Sequence, residues 1–531
     1  MSGVLRIRSR LSACAALLAA LVLTSCSPGT PLPNPLDPSE STDPPSATPS
    51  AGPTDHPDRP APAVPDVEPE GFVDPPPGTG MARYHDQDVT WLPCGAALCA
   101  DVSAPLDHDE PDGQALTLRM LKVPATAEPR LGTVFVNPGG PGYPGTSLAA
   151  GFDRTGLEQY DVVGWDPRGV GASTPVTCFQ GEDLDAFTAM DTSPDDSAEE
   201  QALIVANRSF GQSCLERSGP LLEHISSVQT VHDLDLLRVL VGDERLSYVG
   251  YSYGTYLGAL YAELYPDRVG RLVLDGAVDL SRTSETIQAQ GFDRSLTAFA
   301  EWCVAQRCSL GESPTAVVEQ VTRVFDQTDV QPMPTRSDRQ LTQSLAVTGV
   351  ISRLYSEARW PGLLQVLELA REGDGSGLLF YADEFNERGA DGRYGQSAFA
   401  FPATSCVDTA DGGIEDALQD WERAQEVAPV FGRYGGPALT CPVWPVEPDV
   451  WQEPIRGAGA PPVLVVGTTG DSATPYEYAV AMAEQLESAQ LLTLEGEGHG
   501  AFRQGTPCID GAVVRYLVTG ELPPPGTRCR E

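Results

Sequence analysis

The stretch LSYVGYSYGTYLGALYAELYP, from Leu246 to Pro266, decides how the rest of the sequence is interpreted. It begins with a short apolar run that is typical of a buried strand and continues as a helical pattern that Pro266 ends. Ser252 lies between these parts, with Gly250 and Gly254 two residues away on either side. G-x-S-x-G is short enough to occur by chance, but a strand, a sharp turn and a helix are the setting that a nucleophilic serine requires. Ser252 is therefore the predicted nucleophile.

A nucleophilic serine needs a base, and histidine is the usual one. Of the six histidines, only His499 follows Ser252 in the chain, shortly after the strand-like run LLTLEG. In folds where a nucleophilic serine lies in such a turn between a strand and a helix, the acid lies between the serine and the histidine in chain order. Asp471, which follows PVLVVG, is the predicted acid, although capping a helix is a second role that its position allows. Asp275, within RLVLDG one strand earlier, is the alternative acid.

The stretch VNPGGPGYPG, from Val136 to Gly145, has the spacing G-x-G-x-x-G, which also occurs in dinucleotide sites. Pro141 and Pro144 lack the backbone N–H groups that a bound pyrophosphate would need. We therefore interpret this stretch as an oxyanion loop, in which the N–H of Gly140 acts together with the N–H of Tyr253. The sequence predicts no metal ion and no cofactor.

Strand-like and helix-like stretches alternate from about Arg83 onward. Most of the strand-like runs are short and continuously apolar, as in GTVFVN, YDVVGWD, RLVLDG and PVLVVG. Such runs are expected for strands that helices cover on both faces, so the alternation predicts a mostly parallel sheet flanked by helices. The pattern lapses between about Ser281 and Phe401, where Leu-, Ala- and Glu-rich stretches predict a helical insertion within one α/β domain.

The composition restricts the ligands that the protein can bind. The chain has 74 acidic and 34 basic residues, a formal net charge of −40, which argues against nucleic acids and against attachment to anionic lipid by charge. The same charge favours cationic ligands such as peptides with a free amino terminus. Lys122 is the only lysine and lies in a strand-like run, which argues against a serine–lysine mechanism.

The amino terminus has the pattern of an export signal. Arginines precede the apolar run LSACAALLAALVL, which is too short to span a bilayer and leads into LTSC. LTSC resembles the lipobox of bacterial lipoproteins, so residues 1–25 are a predicted signal peptide and Cys26 a predicted lipidation site. The alternative is an ordinary signal peptide with an incidental cysteine. Residues 26–80 are rich in Pro, Ser, Thr and Asp, and we expect a disordered tether there, or a passive spacer if no lipid is attached.

Ten further cysteines are expected to form disulfides, because an even number in an exported protein indicates a disulfide framework. We expect them to pair sequentially along the chain. Zinc is the alternative, but no second pair of ligands lies near CGAALC or CVAQRC. The ten are Cys94, Cys99, Cys178, Cys214, Cys303, Cys308, Cys406, Cys441, Cys508 and Cys529.

Several motifs occur together in this chain: NPGGPG, WDPRGVGAS, DLDLLR, GYSYGTYLGALYAELYPDRV, LVLDGAVD, CVD, GTTGDSATP and GHG. Together they resemble the secreted α/β-hydrolase peptidases of the tripeptidyl aminopeptidase and proline iminopeptidase type, from high-GC Gram-positive bacteria, many of which are lipoproteins. The resemblance covers about Arg83 to Cys529 and is weakest in the helical insertion. It implies an α/β-hydrolase fold with a helical lid, and the triad Ser252, Asp471 and His499.

The resemblance also implies where the domains and the substrate lie. The core is expected at residues 81–280 and 402–531, with the lid at residues 281–401 admitting a free peptide amino terminus. Acidic residues in such lids often bind the substrate ammonium group, and the candidates are Glu301, Glu384 and Asp408.

The expected protein is a monomeric serine exopeptidase, secreted or lipid-anchored outside the cell, that releases short peptides, tripeptides foremost. A carboxylesterase or lipase with the same triad is one alternative, since fold and triad do not fix the bond that is cleaved. A binding lipoprotein with an inactive hydrolase fold is the other.

Overall fold

The computed structural model describes residues 71–280, 285–410 and 412–530. The predictions for the signal peptide, for Cys26 and for most of the tether fall outside these residues. Within the described part of the chain, no helix is both long enough and apolar enough to cross a membrane.

One sheet of eleven strands runs through the described residues. In chain order the strands are β1 (Phe72–Val73), β2 (Leu92–Cys94), β3 (Ala97–Pro105), β4 (Ala115–Val123), β5 (Gly132–Asn137), β6 (Tyr160–Trp165), β7 (Leu246–Tyr251), β8 (Val269–Asp275), β9 (Val463–Gly470), β10 (Ala489–Glu497) and β11 (Arg528–Arg530). Their spatial order is β11-β10-β9-β8-β7-β5-β6-β4-β3-β2, with β1 paired to β4. Strands β5 to β11 pair in parallel, whereas β1 to β4 join antiparallel at the other side.

The central strands are buried on both faces, which explains their continuous apolar runs. Successive side chains of a strand point to opposite faces. In β5, Phe135 belongs to an apolar cluster that includes Leu234 and Leu257, whereas its neighbour Val134 packs in a second cluster that includes Val513. Each fully buried side chain of this kind contributes about 1.5–3 kcal/mol, so these two clusters fix the sheet between its helices.

The helices follow the alternation that the sequence predicts. They are α1 (Ala82–His85), α2 (Gly145–Gly151), α3 (Glu182–Thr188), α4 (Ser197–Ser218), α5 (Ser227–Leu240), α6 (Tyr253–Leu264), α7 (Glu285–Ala305), α8 (Pro314–Val330), α9 (Gln343–Leu354), α10 (Trp360–Arg371), α11 (Ser376–Phe385), α12 (Ser397–Val407), α13 (Ile414–Val427), α14 (Phe431–Tyr434), α15 (Tyr476–Gln485) and α16 (Pro507–Thr519). Short 3₁₀ helices lie at Gly219–His224, Pro266–Arg268, Glu357–Arg359 and Cys441–Val443.

Helices α7 to α14 form a helical insertion between β8 and β9. It has an apolar cluster of its own, in which Phe299, Val321 and Trp360 are buried. The helices continue past residue 401 to α14, and the next strand is β9. A mostly parallel sheet flanked by helices, with a helical region inserted, confirms the predicted fold class.

The structure pairs the ten cysteines sequentially. Cys406–Cys441 joins the end of α12 to a 3₁₀ helix, and Cys508–Cys529 joins α16 to β11. The other pairs are Cys94–Cys99, Cys178–Cys214 and Cys303–Cys308.

Candidate active site

Ser252 occupies the turn between β7 and α6 in a strained backbone conformation, with φ of 53° and ψ of −124°. A non-glycine residue in this region costs on the order of 1–3 kcal/mol, so the surroundings must hold it there. Its N–H donates to the carbonyl of Asp275 on the neighbouring strand, at 3.0 Å. Its own carbonyl accepts from the N–H and the hydroxyl of Thr255, at 2.8 and 2.6 Å. The predicted sharp turn is therefore present, and the serine stands at the carboxyl edge of the sheet.

The two glycines of the motif make this turn sterically feasible. A Cβ at Gly250 would lie 2.6 Å from the ring of Tyr248 and would overlap the carbonyl of Gly254. A Cβ at Gly254 would lie 2.7 Å from Oδ1 of Asn137. Side chains at these positions would force β7 and α6 apart and displace the serine between them.

Asp471 and His499 lie side by side at the same edge of the sheet, just beyond β9 and β10. The imidazole Nδ1 is 2.9 and 3.0 Å from the two carboxylate oxygens of Asp471. Asp471 is buried, and it accepts backbone N–H groups from Ala473, Thr474 and Gly500 at 2.8–3.2 Å. These donors satisfy the charged form of the carboxylate, which leaves it free to orient the histidine.

The electrostatics of this pair favour a histidine that accepts a proton. Burial lowers the pKa of His499, but the charge and hydrogen bond of the Asp471 carboxylate, together with the charge of Asp275, raise that pKa above its ordinary value. The hydroxyl of Thr474 supports both partners, because it donates to Asp471 Oδ2 at 3.0 Å and lies 3.1 Å from Nδ1 of His499. Sequence reasoning missed Thr474, although it lies within the GTTGDSATP motif.

Asp275, the alternative acid, is engaged elsewhere. Its fully buried carboxylate accepts the backbone N–H groups of Ala501 and Phe502, at 2.7–3.1 Å. Burial raises the pKa of Asp275 to about 6. The structure therefore pairs His499 with Asp471, while Asp275 holds the loop that follows the histidine.

The end of β8 contacts both the turn that contains Ser252 and the ring of His499. Gly276 follows Asp275, which binds the Ser252 backbone, and a Cβ at Gly276 would lie 3.1 Å from Cε1 of His499. The ring of Tyr355 packs edge-on against another side of the imidazole, with ring centroids 5.5 Å apart. The backbone carbonyl of Tyr355 accepts a hydrogen bond from the backbone N–H of His499 at 2.9 Å. Among the described residues, no hydrogen bond joins the Ser252 hydroxyl to the imidazole. Such contacts often tighten only when substrate binds.

The predicted oxyanion loop passes directly beside the serine turn. Gly139 has φ of 92°, and a Cβ there would lie 2.9 Å from Ser252 Cβ and 3.1 Å from the backbone nitrogen of Tyr253. Gly140 follows Gly139 in the same loop, so the loop that contains one predicted oxyanion residue lies against the backbone of the other. Tyr253 is also the first residue of α6, and the positive end of a helix dipole stabilises developing negative charge.

An acidic group that the sequence analysis did not single out lies beyond this loop. Glu387, just after α11, is exposed and accepts a hydrogen bond from the Ser397 hydroxyl at 2.9 Å. Its carboxylate is close enough to Tyr143 to raise the pKa of that phenol, together with the larger effect of burial. The Tyr143 ring in turn lies against Gly140. No cationic side chain of the described residues pairs with Glu387, and no sequence feature distinguishes it from the other acids of the insertion.

The three acids proposed from sequence have different surroundings. Glu301 is exposed on α7, and Glu384 forms an ion pair with Arg353 at 3.2 Å. Asp408 is buried and accepts both the N–H and the hydroxyl of Ser227, at 2.8 and 2.5 Å.

A cavity of about 620 Å³ adjoins the site. Its lining includes His499 and Tyr355 but not Ser252, together with the charged side chains of Glu357, Glu497 and Arg530. It gives a ligand room next to the imidazole.

Comparisons with known proteins identify the family of this chain. Residues 132–365 match the family described as "alpha/beta hydrolase fold", and residues 428–529 match the family described as "TAP-like protein". The serine protease Hip1 of Mycobacterium tuberculosis is 37% identical over 85% of this chain and 93% of its own length. Carboxylesterase B of the same species is 36% identical over 82% and 86%. The tripeptidyl aminopeptidase of Streptomyces coelicolor is 29% identical over 83% and 85%. This chain therefore belongs to the α/β-hydrolase family, in the TAP-like group, and is a serine hydrolase.

Proposed function

We propose that the protein is a serine exopeptidase that cleaves short peptides, tripeptides foremost, from the free amino terminus of peptide substrates. Relatives named serine protease and tripeptidyl aminopeptidase support the peptide class. The observation that carries the exopeptidase mode is Glu387, an accessible carboxylate without a cationic partner in the described residues, beside the oxyanion loop.

The reaction proceeds through an acyl-enzyme. The Ser252 oxygen attacks the scissile carbonyl carbon while His499 takes the hydroxyl proton, and Asp471 holds the imidazole in the required tautomer. The N–H groups of Gly140 and Tyr253 stabilise the tetrahedral oxyanion. The C–N bond then breaks, the histidine returns the proton to the leaving amine, and a water molecule hydrolyses the ester by the same route. These roles require no metal ion or cofactor.

Glu387 would bind the ammonium group of the substrate. Ser397 fixes one carboxylate oxygen from the start of α12, which leaves the other available to a donor. Gly395 makes this arrangement feasible, because a Cβ there would overlap the Glu387 carboxylate. An ammonium held at this point, with Tyr143 of the oxyanion loop between it and Gly140, sets how far the scissile bond lies from the amino terminus.

A substrate panel tests this proposal. A tripeptide anilide with a free amino terminus, its N-acetylated form and a short-chain ester are assayed with the wild type and with Ser252→Ala. Preference for the free amine supports the exopeptidase, whereas ester-only turnover overturns it. Absence of turnover and of labelling by a serine-directed probe would favour an inactive binding protein.

The role of Glu387 is tested with Glu387→Gln and the matched variant Glu384→Gln. Hydrogen bonds to charged groups contribute about 1.5–3 kcal/mol, so Glu387→Gln should lower kcat/KM for the free amine about 10-fold or more. Turnover of the acetylated substrate should not change. The same loss in Glu384→Gln but not in Glu387→Gln would move the ammonium site to Glu384.

A carboxylesterase is the second candidate, and a relative named carboxylesterase B at 36% identity favours it. The same triad serves either reaction. The ester arm of the substrate panel separates the two.

We also propose that the protein acts outside the cell as a monomer, anchored through a lipid on Cys26 or secreted. Disulfide pairing of ten cysteines supports an oxidising compartment. Metabolic labelling with a fatty-acid analogue should mark the wild type but not Cys26→Ser, and light scattering gives the oligomeric state. Equal labelling of both forms would contradict lipidation at Cys26.

A further inference from the structure

The CVD motif, at residues 406–408, ends in an acid that the catalytic steps above do not use. Asp408 is 3% exposed and follows α12 directly. Both of its carboxylate oxygens are occupied by Ser227, the first residue of α5. A buried carboxylate at a helix amino terminus is stabilised by the backbone N–H groups and by the dipole. These contacts anchor Asp408 to the amino terminus of α5.

The contact continues from Ser227 to the residue after the nucleophile. The Ser227 hydroxyl lies 2.6 Å from the phenol oxygen of Tyr253, and Tyr253 is 9% exposed. A serine hydroxyl has a single proton, which Ser227 donates to Asp408. The phenol of Tyr253 must therefore donate to Ser227, which gives a directed chain of hydrogen bonds from Tyr253 through Ser227 to Asp408.

This chain of hydrogen bonds joins the helical insertion to the turn that contains Ser252. Cys406–Cys441 fixes the end of α12, and the carbonyl of Val407 accepts the N–H of Asp449 at 2.7 Å. At its other end, α12 packs against the oxyanion loop, since a Cβ at Gly142 would lie 3.1 Å from Cα of Ser397. One helix therefore contacts the oxyanion loop directly and reaches Tyr253 through Asp408.

We propose that Asp408 and Ser227 are positioning residues, which hold the phenol of Tyr253 and thereby fix its backbone N–H toward the oxyanion. This inference rests on the proposed role of that N–H. Tyr253 begins α6, so tethering its side chain to α5 and α12 restricts the rotation of the peptide group that follows Ser252. The contact acts on the transition state, because the N–H is needed most when negative charge develops on the carbonyl oxygen.

The test compares Tyr253→Phe, Ser227→Ala and Asp408→Asn with Tyr160→Phe. Tyr160→Phe removes another buried phenol, which donates to the Leu517 carbonyl; Tyr160 begins β6, at the edge of the parallel strands opposite to the one that carries Ser252. Losing one oxyanion donor costs about 100- to 1000-fold in kcat, so a displaced donor should cost about 10-fold. We expect that loss in kcat with little change in KM for the first three variants, and none for Tyr160→Phe.

A second measurement separates positioning from general destabilisation. Inhibition by a peptidyl trifluoromethyl ketone, which forms a tetrahedral oxyanion adduct with serine, should weaken in parallel with kcat. Inhibition by the released tripeptide should not change. The double variant Tyr253→Phe with Asp408→Asn should lose no more kcat than the single variants. The effects of substitutions within one chain of hydrogen bonds are not additive.

The proposal is overturned if Tyr253→Phe keeps the wild-type kcat and ketone affinity, or if the losses appear in KM alone. If Asp408→Asn does not fold, Tyr253→Phe still provides the test, because that substitution removes only one oxygen atom. Repeating the series with a short-chain ester distinguishes this result from a failure of the exopeptidase proposal, since the oxyanion forms with either substrate.

Discussion

Nδ1 of His499 lies 2.9 and 3.0 Å from the two carboxylate oxygens of Asp471, the acid that directly follows β9. Since one acid makes this contact and Asp275 does not, the two carboxylates should respond differently to the same substitution. Asp471→Asn should lower kcat about 10⁴-fold by favouring the wrong tautomer, as in other serine triads. Asp275→Asn should mainly lower the melting temperature, because it replaces one of the two oxygens that accept the backbone N–H groups of Ala501 and Phe502 by an NH2 donor. Steady-state kinetics and thermal unfolding of both variants check this, and the reverse pattern would make Asp275 the acid.

The pH profile should report the raised pKa of His499. The histidine acts as a base only when neutral, so kcat/KM should fall as the pH drops through its pKa in the free enzyme. Because Asp471 raises that pKa above 6.5, the midpoint of the acid limb should lie above pH 6.5. Asp471→Asn should move the midpoint to lower pH. A wild-type midpoint below 6.5, or one that does not move, would contradict the assignment.

Gly139→Ala should disable the enzyme by displacing the nucleophile. The new Cβ would lie 2.5 Å from the Tyr251 carbonyl and 2.9 Å from Ser252 Cβ, at a φ of 92°. We expect kcat/KM to fall at least about 100-fold, since small misplacements of reacting groups have effects of this size. The matched control is Gly242→Ala, where φ is 85° but the space is open. That variant should lose about 1 kcal/mol of stability and keep its activity. Equal activity in the two variants would show that contact with the serine turn is unimportant.

Low pH should destabilise the fold through His232, which takes no part in the proposed catalytic steps. Burial, with a smaller effect of His108, lowers the pKa of His232 to about 4, and its Nδ1 lies 2.5 Å from the phenol of Tyr265. The unfolded chain binds a proton near pH 6.5, so the stability gained by the neutral folded form is lost as the pH falls from about 6.5 to 4. This difference in the pKa of His232 between the folded and unfolded states corresponds to about 3 kcal/mol of the free energy of unfolding.

Urea unfolding at several pH values measures this loss for His232→Gln and the wild type. The variant should lose less stability than the wild type between pH 7 and pH 4.5. Parallel losses in both proteins would assign the acid sensitivity to other groups.

The sequence predicted those parts of the site that local patterns encode. Ser252, Asp471 and His499 each follow a strand, and parallel strands bring their carboxyl ends to one edge, so chain order alone indicates which residues meet. Sequential pairing of the cysteines likewise needed only their spacing. Glu387 and the partners of Asp408 could not be found in this way. Their positions depend on how α12 packs against the oxyanion loop and α5, a tertiary contact between segments far apart in the chain.

The central proposal is that Ser252 carries the amino-terminal part of a peptide as an ester. Intact-mass analysis of the enzyme, quenched within one turnover of a free-amine hexapeptide, measures that ester directly. The proposal predicts an adduct with the mass of the three amino-terminal residues, located on the Ser252 peptide and absent from Ser252→Ala. An adduct on another residue, an adduct that contains the carboxyl-terminal part, or cleavage by Ser252→Ala would contradict it.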